Sequence, residues 1–135
     1  MIQESTKKEL IGNEGKVILD MIRRLNRRKA TDHLLKLITK THPADLAWVF
    51  RYLSEEERSD VFAIVAQTSL VVDFLSELDE SIMLSVVEGL SPQFMADVVS
   101  EMASDDAADL IEALPEDVAA DVRRRMERED RVEVE

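Results

Sequence analysis

The chain has 135 residues, 45% of them apolar and 34% charged, with a net charge of −12 at neutral pH and no cysteine. That length and apolar content suffice for one domain core, and the lack of cysteine excludes disulfides, thiolate metal sites and thiol nucleophiles. Only 4% of residues are aromatic, and there are three Gly and three Pro, a composition that favours helices over strands.

Residues 1–15, polar around Gly12 and Gly15, read as a flexible leader. The amino terminus MIQESTKKEL has no signal-peptide pattern. From about residue 16 an amphipathic helix is expected, with Val17, Ile18, Met21, Ile22 and Leu25 as its apolar stripe and Arg23, Arg24, Arg27 and Arg28 turned outward or sideways. Leu34, Leu35 and Ile38 predict a second short helix after Thr31-Asp32. The longest uncharged apolar stretch, 61–72, falls short of the roughly 20 residues that a membrane helix needs.

Charge divides the chain. Residues 1–40 hold ten Lys/Arg against five Asp/Glu, whereas 41–135 hold seven against twenty-four, a net −17. Such a body repels nucleic acid and attracts cations and basic partners.

A short period governs the second half. Leu90-SPQFMADVV, Met102-ASDDAADLI and Leu114-PEDVAADVR align twelve residues apart, placing Asp97, Asp109 and Asp121 in one register with Val98, Leu110 and Val122 after them. Asp45-Leu46 and Asp60-Val61 fit as earlier copies, and the segment from Leu78 fits with Ser85 at the Asp position. A unit of twelve suits one helix of two to three turns plus a tight turn. Helix-entry signals recur at the unit starts: Ser54 with Glu57 as a capping box, Asp79 and Ser104 as N-caps, and Pro43, Pro92 and Pro115 in first turns. The expected fold is all-α: a right- or left-winding superhelix of about eight short helices, an α-solenoid-like domain over 16–126 held by neighbour packing. A charged tail or linker follows at 127–135. The core is expected from the repeat-phase apolar residues, among them Val49, Phe50, Val61, Phe74, Leu84, Leu90, Phe94, Leu110 and Val122. Truncating Leu90 or Leu110 to Ala should therefore be clearly destabilising.

The densest chemistry lies between Glu101 and Glu112. If Ser104 caps a helix, Asp105 and Asp109 are related as i,i+4 and Asp106 and Asp109 as i,i+3, so their carboxylates share a face. Hard cations such as Mg²⁺ take such oxygen ligands, one or two carboxylates plus retained water. A first helical turn also favours Asp through the helix dipole without any metal, and both readings stay open on the residues alone. Catalysis has little to work with. His33 and His42 are the only histidines, His42 sits at a helix entry, and no phosphate loop, nucleophile elbow or HExxH motif occurs. The chain is expected not to be an enzyme. The run Arg23 to Lys29 reads as a solvated helix face or a partner for the acidic body, and no aromatics interleave it as single-strand binding would want.

His42-Pro-Ala-Asp-Leu-Ala47, Leu90-Ser-Pro92, and Glu101-Met-x-x-Asp-Asp-Ala-Ala-Asp-Leu110 followed by Leu114-Pro115 resemble the intracellular amino-terminal domain of MgtE-type magnesium transporters, over about residues 30 to 126. The resemblance implies a cytoplasmic, Mg²⁺-sensing regulatory domain. In that family it precedes a CBS domain pair and a transmembrane pore, works within a homodimer, and reaches the membrane only through the transporter domain. Asp109 is then the leading candidate metal ligand, with Asp105 and Asp106 beside it, and Mg²⁺ binding is expected to be weak in the isolated domain. The 135 residues contain neither the CBS pair nor a span, so the chain is expected to be a piece of a transporter or a free-standing relative. Acidic twelve-residue helical repeats also occur in flagellar motor-switch proteins of the FliG type, which leaves a metal-independent protein-interaction module as the alternative.

Overall fold

The chain was described from a computed structural model, which gives the backbone of residues 2–134 and the side chains of 14–128. Among the described residues it forms nine helices and no strand, which meets the all-α expectation with one helix more than was read. Where the sequence suggested one domain over 16–126, the chain divides into two compact units, Met1–Leu78 and Asp79–Glu135. Residues 1–78 hold twelve Lys/Arg and twelve Asp/Glu, and 79–135 hold five and seventeen. The net −12 therefore belongs entirely to the second unit.

The first unit contains α1 (Ile2–Arg27), α2 (Thr31–Lys40), α3 (Pro43–Phe50), α4 (Glu55–Val65) and α5 (Val71–Glu77). From residue 2 onward the backbone of the segment expected as a leader lies within α1, and its side chains up to residue 13 are outside the described residues. Helix α1 packs on α2, α3 and α4 through Gly15, Leu19 and Ile22, all buried. This corrects the stripe read from the sequence. Val17 and Met21 lie half a turn away and are 59% and 42% exposed, while Ile18 and Leu25 flank the true inner face half-buried.

Gly15 is buried for a steric reason. A Cβ built on it would stand 2.5 Å from Trp48 Cζ3, so only a hydrogen at that position lets the α3 indole lie against α1. Trp48 in turn packs on Tyr52, with ring centroids 4.7 Å apart. Helix α1 ends in a Schellman turn: Ala30 N–H donates to Leu25 O, Lys29 N–H donates to Asn26 O, and Lys29 adopts φ 56°, a position usually given to Gly. The centre of the unit is aromatic, with Phe50 edge-on to Phe74 at 4.6 Å and Phe62 6.2 Å from Phe74.

Two entry signals proved as read. Ser54 and Glu57 make a reciprocal capping box at α4, and His42 caps α3 by accepting the Ala44 N–H at its Nδ1, 3.2 Å away, with Pro43 in the first turn. Arg58 of α4 donates from Nε to Phe50 O at 2.8 Å, satisfying a terminal carbonyl of α3 that would otherwise lack a partner.

The second unit consists of α6 (Glu80–Val87), α7 (Pro92–Glu101), α8 (Ser104–Ala113) and α9 (Glu116–Val134). Their first residues fall twelve apart, so each sequence unit is one short helix plus its turn. Asp97, Asp109 and Asp121 are each the sixth residue of their helix, as are Ser85 in α6 and Asp60 in α4. The seventh residues, Val86, Val98, Leu110, Val122 and Val61, are all buried. The register thus alternates an outward polar residue with an inward apolar one. Asp45 is the exception: it is the third residue of α3, so that sequence copy does not share the helical position.

Ser91 caps α7 by accepting the Phe94 N–H at 3.1 Å. Ser104 does not cap α8: the N-cap is Ala103, without a side-chain bond, and Ser104 is the first helical residue. The tail placed at 127–135 is taken up by α9 as far as Val134, with side chains from 129 onward outside the described residues. Helix α7 packs mainly on α9, and α8 packs on both. Arg125 ties α9 to α7, donating from NH1 to Gln93 Oε1 at 3.1 Å and from Nε to Asp121 Oδ1 at 3.2 Å.

Candidate cation-binding surface

Helix α8 carries the acidic block. Asp105 and Asp106 occupy its first turn, where no side-chain cap takes up the free N–H groups and the helix dipole favours negative charge. Asp109 follows one turn later. Asp105 and Asp109 are exposed and Asp106 is half-buried, because Leu110 beside them fills the core, where it is 2% exposed.

The repeat-phase aspartates differ in their partners. Asp60 Oδ2 accepts from Asn26 Nδ2 at 3.3 Å, Asp97 Oδ1 accepts from Gln93 Nε2 at 3.1 Å, and Asp121 is engaged by Arg125 and, at 3.9 Å, by Arg124. Asp109 has no hydrogen-bond or ion-pair partner among the described residues. A wider feature of the sequence lies behind this. No Lys, Arg or His occurs between Arg58 and Arg123, so the outer face of α8 has no neighbouring cationic side chain from its own stretch of chain. Among the described residues no group of three or more His, Asp or Glu is placed to hold a metal ion. The described residues therefore offer a cation one or two carboxylates at a time, and water or a second surface would have to complete the shell.

The electrostatics of the first unit are of a different kind. Arg23 Nε lies 3.2 Å from Glu57 Oε2, and its NH2 donates to Tyr52 O. Partial burial acts to raise the Glu57 pKa, but the Ser54 N–H donated to the carboxylate and the adjacent Arg23 charge more than offset it, so the pKa is lowered. Arg23, Arg24, Arg27 and Arg28, with Asp20, line an open cavity of about 380 Å³ on α1. His33 is exposed on α2.

The sequence reading missed a second surface. Leu84, Val87, Leu90, Pro92, Met95, Leu114, Pro115 and Val118, with Glu88, line an open apolar groove of about 660 Å³ within the second unit. Leu84 and Leu90, expected in the core, are half-buried here, as is Val118, because they form its walls, while Ile82, Met83 and Val86 fill the interior instead. Repeat phase alone gives no signal that separates a wall from a core position.

A family model described as the MgtE intracellular N domain matches residues 41–135, from α3 to the end of the chain. The chain belongs to that family. Searches of curated proteins and of solved structures gave no significant match. The MgtE intracellular N domain is a transporter domain rather than a catalytic one, and among the described residues no helix is long and apolar enough to cross a membrane. The basic helix α1 lies ahead of the matched segment, so the matched part is the strongly acidic part.

Proposed function

We propose that this MgtE intracellular N domain is a cytoplasmic Mg²⁺ sensor that regulates a magnesium transporter by cation-bridged docking onto a CBS domain pair. The observation that carries the reading is the charge distribution. Residues 79–122 contain twelve Asp/Glu and no Lys, Arg or His, and the family match covers this stretch. At low Mg²⁺ such a surface repels a neighbouring acidic one; at high Mg²⁺, ions shared between the two neutralise both and hold them together. Asp109 would supply a ligand with Asp105 and Asp106 beside it, and the CBS surface the rest. That division of ligands accords with an acidic face on which, among the described residues, no group of three or more carboxylates or imidazoles is placed to hold an ion. Mg²⁺ binding to the isolated domain should then be weak.

Amide NMR during Mg²⁺ titration, at ionic strength held constant with NaCl, tests the site. Shifts centred on Asp105 to Glu112 and abolished by Asp109→Asn are expected. Shifts spread evenly over all acidic residues would sink the reading, since they report general screening. A second reading, a metal-independent interaction module like that of flagellar motor-switch proteins, is favoured by the open apolar groove. It predicts partner binding that EDTA leaves unchanged.

A further inference from the structure

We infer that a second copy of this chain docks on the second unit, laying the outer face of its α1 into the apolar groove between α6, α7 and the start of α9. The two surfaces are complementary in shape class and in charge. On α1 the buried residues Gly15, Leu19 and Ile22 define one face, and the opposite face carries a stripe at i, i+4 and i+7, Val17, Met21 and Arg24, which Arg28 extends in the turn just past the helix end. All four are exposed, and Val17 and Met21 are two of the large apolar side chains exposed to solvent among the described residues. An apolar pair followed by one arginine on the same helix face and a second at the helix end is a pattern suited to docking in an apolar groove with an acidic rim.

The groove supplies both halves. Its walls are Leu84, Leu90, Met95, Leu114 and Val118, and Glu88 stands exposed on its lining. Glu116 and Asp117 are exposed beside lining residues Pro115 and Val118, and no basic residue occurs from 79 to 122 to compete for the arginines. A second copy is the occupant because the chain itself carries the complementary stripe on a helix whose other face is already used. The contact is small, so the association is weak and salt-sensitive. It needs no divalent cation, which separates it from the proposed sensing role.

The test is sedimentation equilibrium of the full chain in EDTA, from about 5 to 500 µM and at low and high NaCl, with circular dichroism to check folding. The wild type is expected to rise above its 15.4 kDa monomer mass as concentration increases, with dissociation constants at least tenfold weaker in high salt. Met21→Glu, on the exposed stripe, and Leu90→Glu, in the groove, should each remain monomeric. Their mixture should regain a two-chain complex and nothing larger, because one intact stripe then meets one intact groove. Glu88→Lys, a surface change that leaves the core untouched, should weaken self-association and be rescued by Arg24→Glu. A wild type that stays monomeric throughout overturns the inference. So does a mixture that stays monomeric, or self-association that survives Met21→Glu, which would place the contact elsewhere.

Discussion

The two units solve the same problem, holding together sets of helices most of which are too short to be stable alone, by different means. The first has balanced charge and an aromatic centre, and its helices are cross-linked by side chains of high sequence separation: Arg23 to Glu57 and Tyr52, and Asn26 to Asp60. The second has an aliphatic interior, a strict twelve-residue spacing and seventeen acidic residues against five basic ones. Its cross-link is Arg125, which follows the long stretch without cationic side chains. The difference teaches where surplus charge can be carried. The unit built from regular repeats turns its sixth-position carboxylates to its surface, engages Asp97 and Asp121 locally through Gln93, Arg124 and Arg125 and leaves Asp109 without a partner among the described residues, whereas the unit built from specific contacts ties charged side chains between its helices.

The sharpest way to break this contrast is core truncation. Phe74→Ala, which removes the ring shared by Phe50 and Phe62, should cost about 3–5 kcal/mol, and Leu110→Ala about 2–4 kcal/mol, by urea unfolding. Leu90→Ala should cost under about 1 kcal/mol, because that side chain walls an open groove. Equal losses at Leu90 and Leu110 would show that the groove is filled core.

Next in size is Gly15→Ala. Helix propensity alone predicts a gain of about 1 kcal/mol, but the new methyl meets the Trp48 ring, so a loss of about 1–3 kcal/mol with altered tryptophan fluorescence is expected. A gain would mean that α1 is not seated on α3.

The capping box offers a pH test. The Glu57 pKa is lowered on folding, so its contribution is present above the ordinary carboxylate range and is lost as pH falls through the folded-state value. Wild type should therefore exceed Glu57→Gln in stability at pH 7, and the gap should close on acidification below the usual Glu range. Ser54→Ala should cost about 1 kcal/mol. Lys29→Gly should instead stabilise by about 1 kcal/mol by relieving the positive φ.

The smallest effect belongs to the second unit's surface. Asp109→Asn should change unfolding free energy by less than about 0.5 kcal/mol while removing any localised Mg²⁺ response. Stability and cation response would thus be separated in a single variant, as they could not be at Glu57.

Much of the second unit was legible because one period set everything. The spacing of Asp97, Asp109 and Asp121 gave helix length, turn position and the inward residues Val98, Leu110 and Val122. The candidate site was legible as composition: the acidic block could be seen, but not that Asp60, Asp97 and Asp121 find protein partners while Asp109 finds none among the described residues. The first unit was harder. Val17 and Met21 fit a helical stripe as well as Leu19 and Ile22 do, and Asp45 fits the repeat by letters while sitting at another helical position.

By itself, the sequence determined the helical class, the twelve-residue register and the family resemblance, since each depends on neighbours within one or two turns. Only the tertiary structure decided which apolar residues are core and which are surface. It buried Gly15 under Trp48, left Val17 and Met21 outside, and opened a groove along Leu84, Leu90 and Val118. Those outcomes depend on which helix packs against which, and a local periodicity cannot choose between two apolar faces until a partner covers one of them.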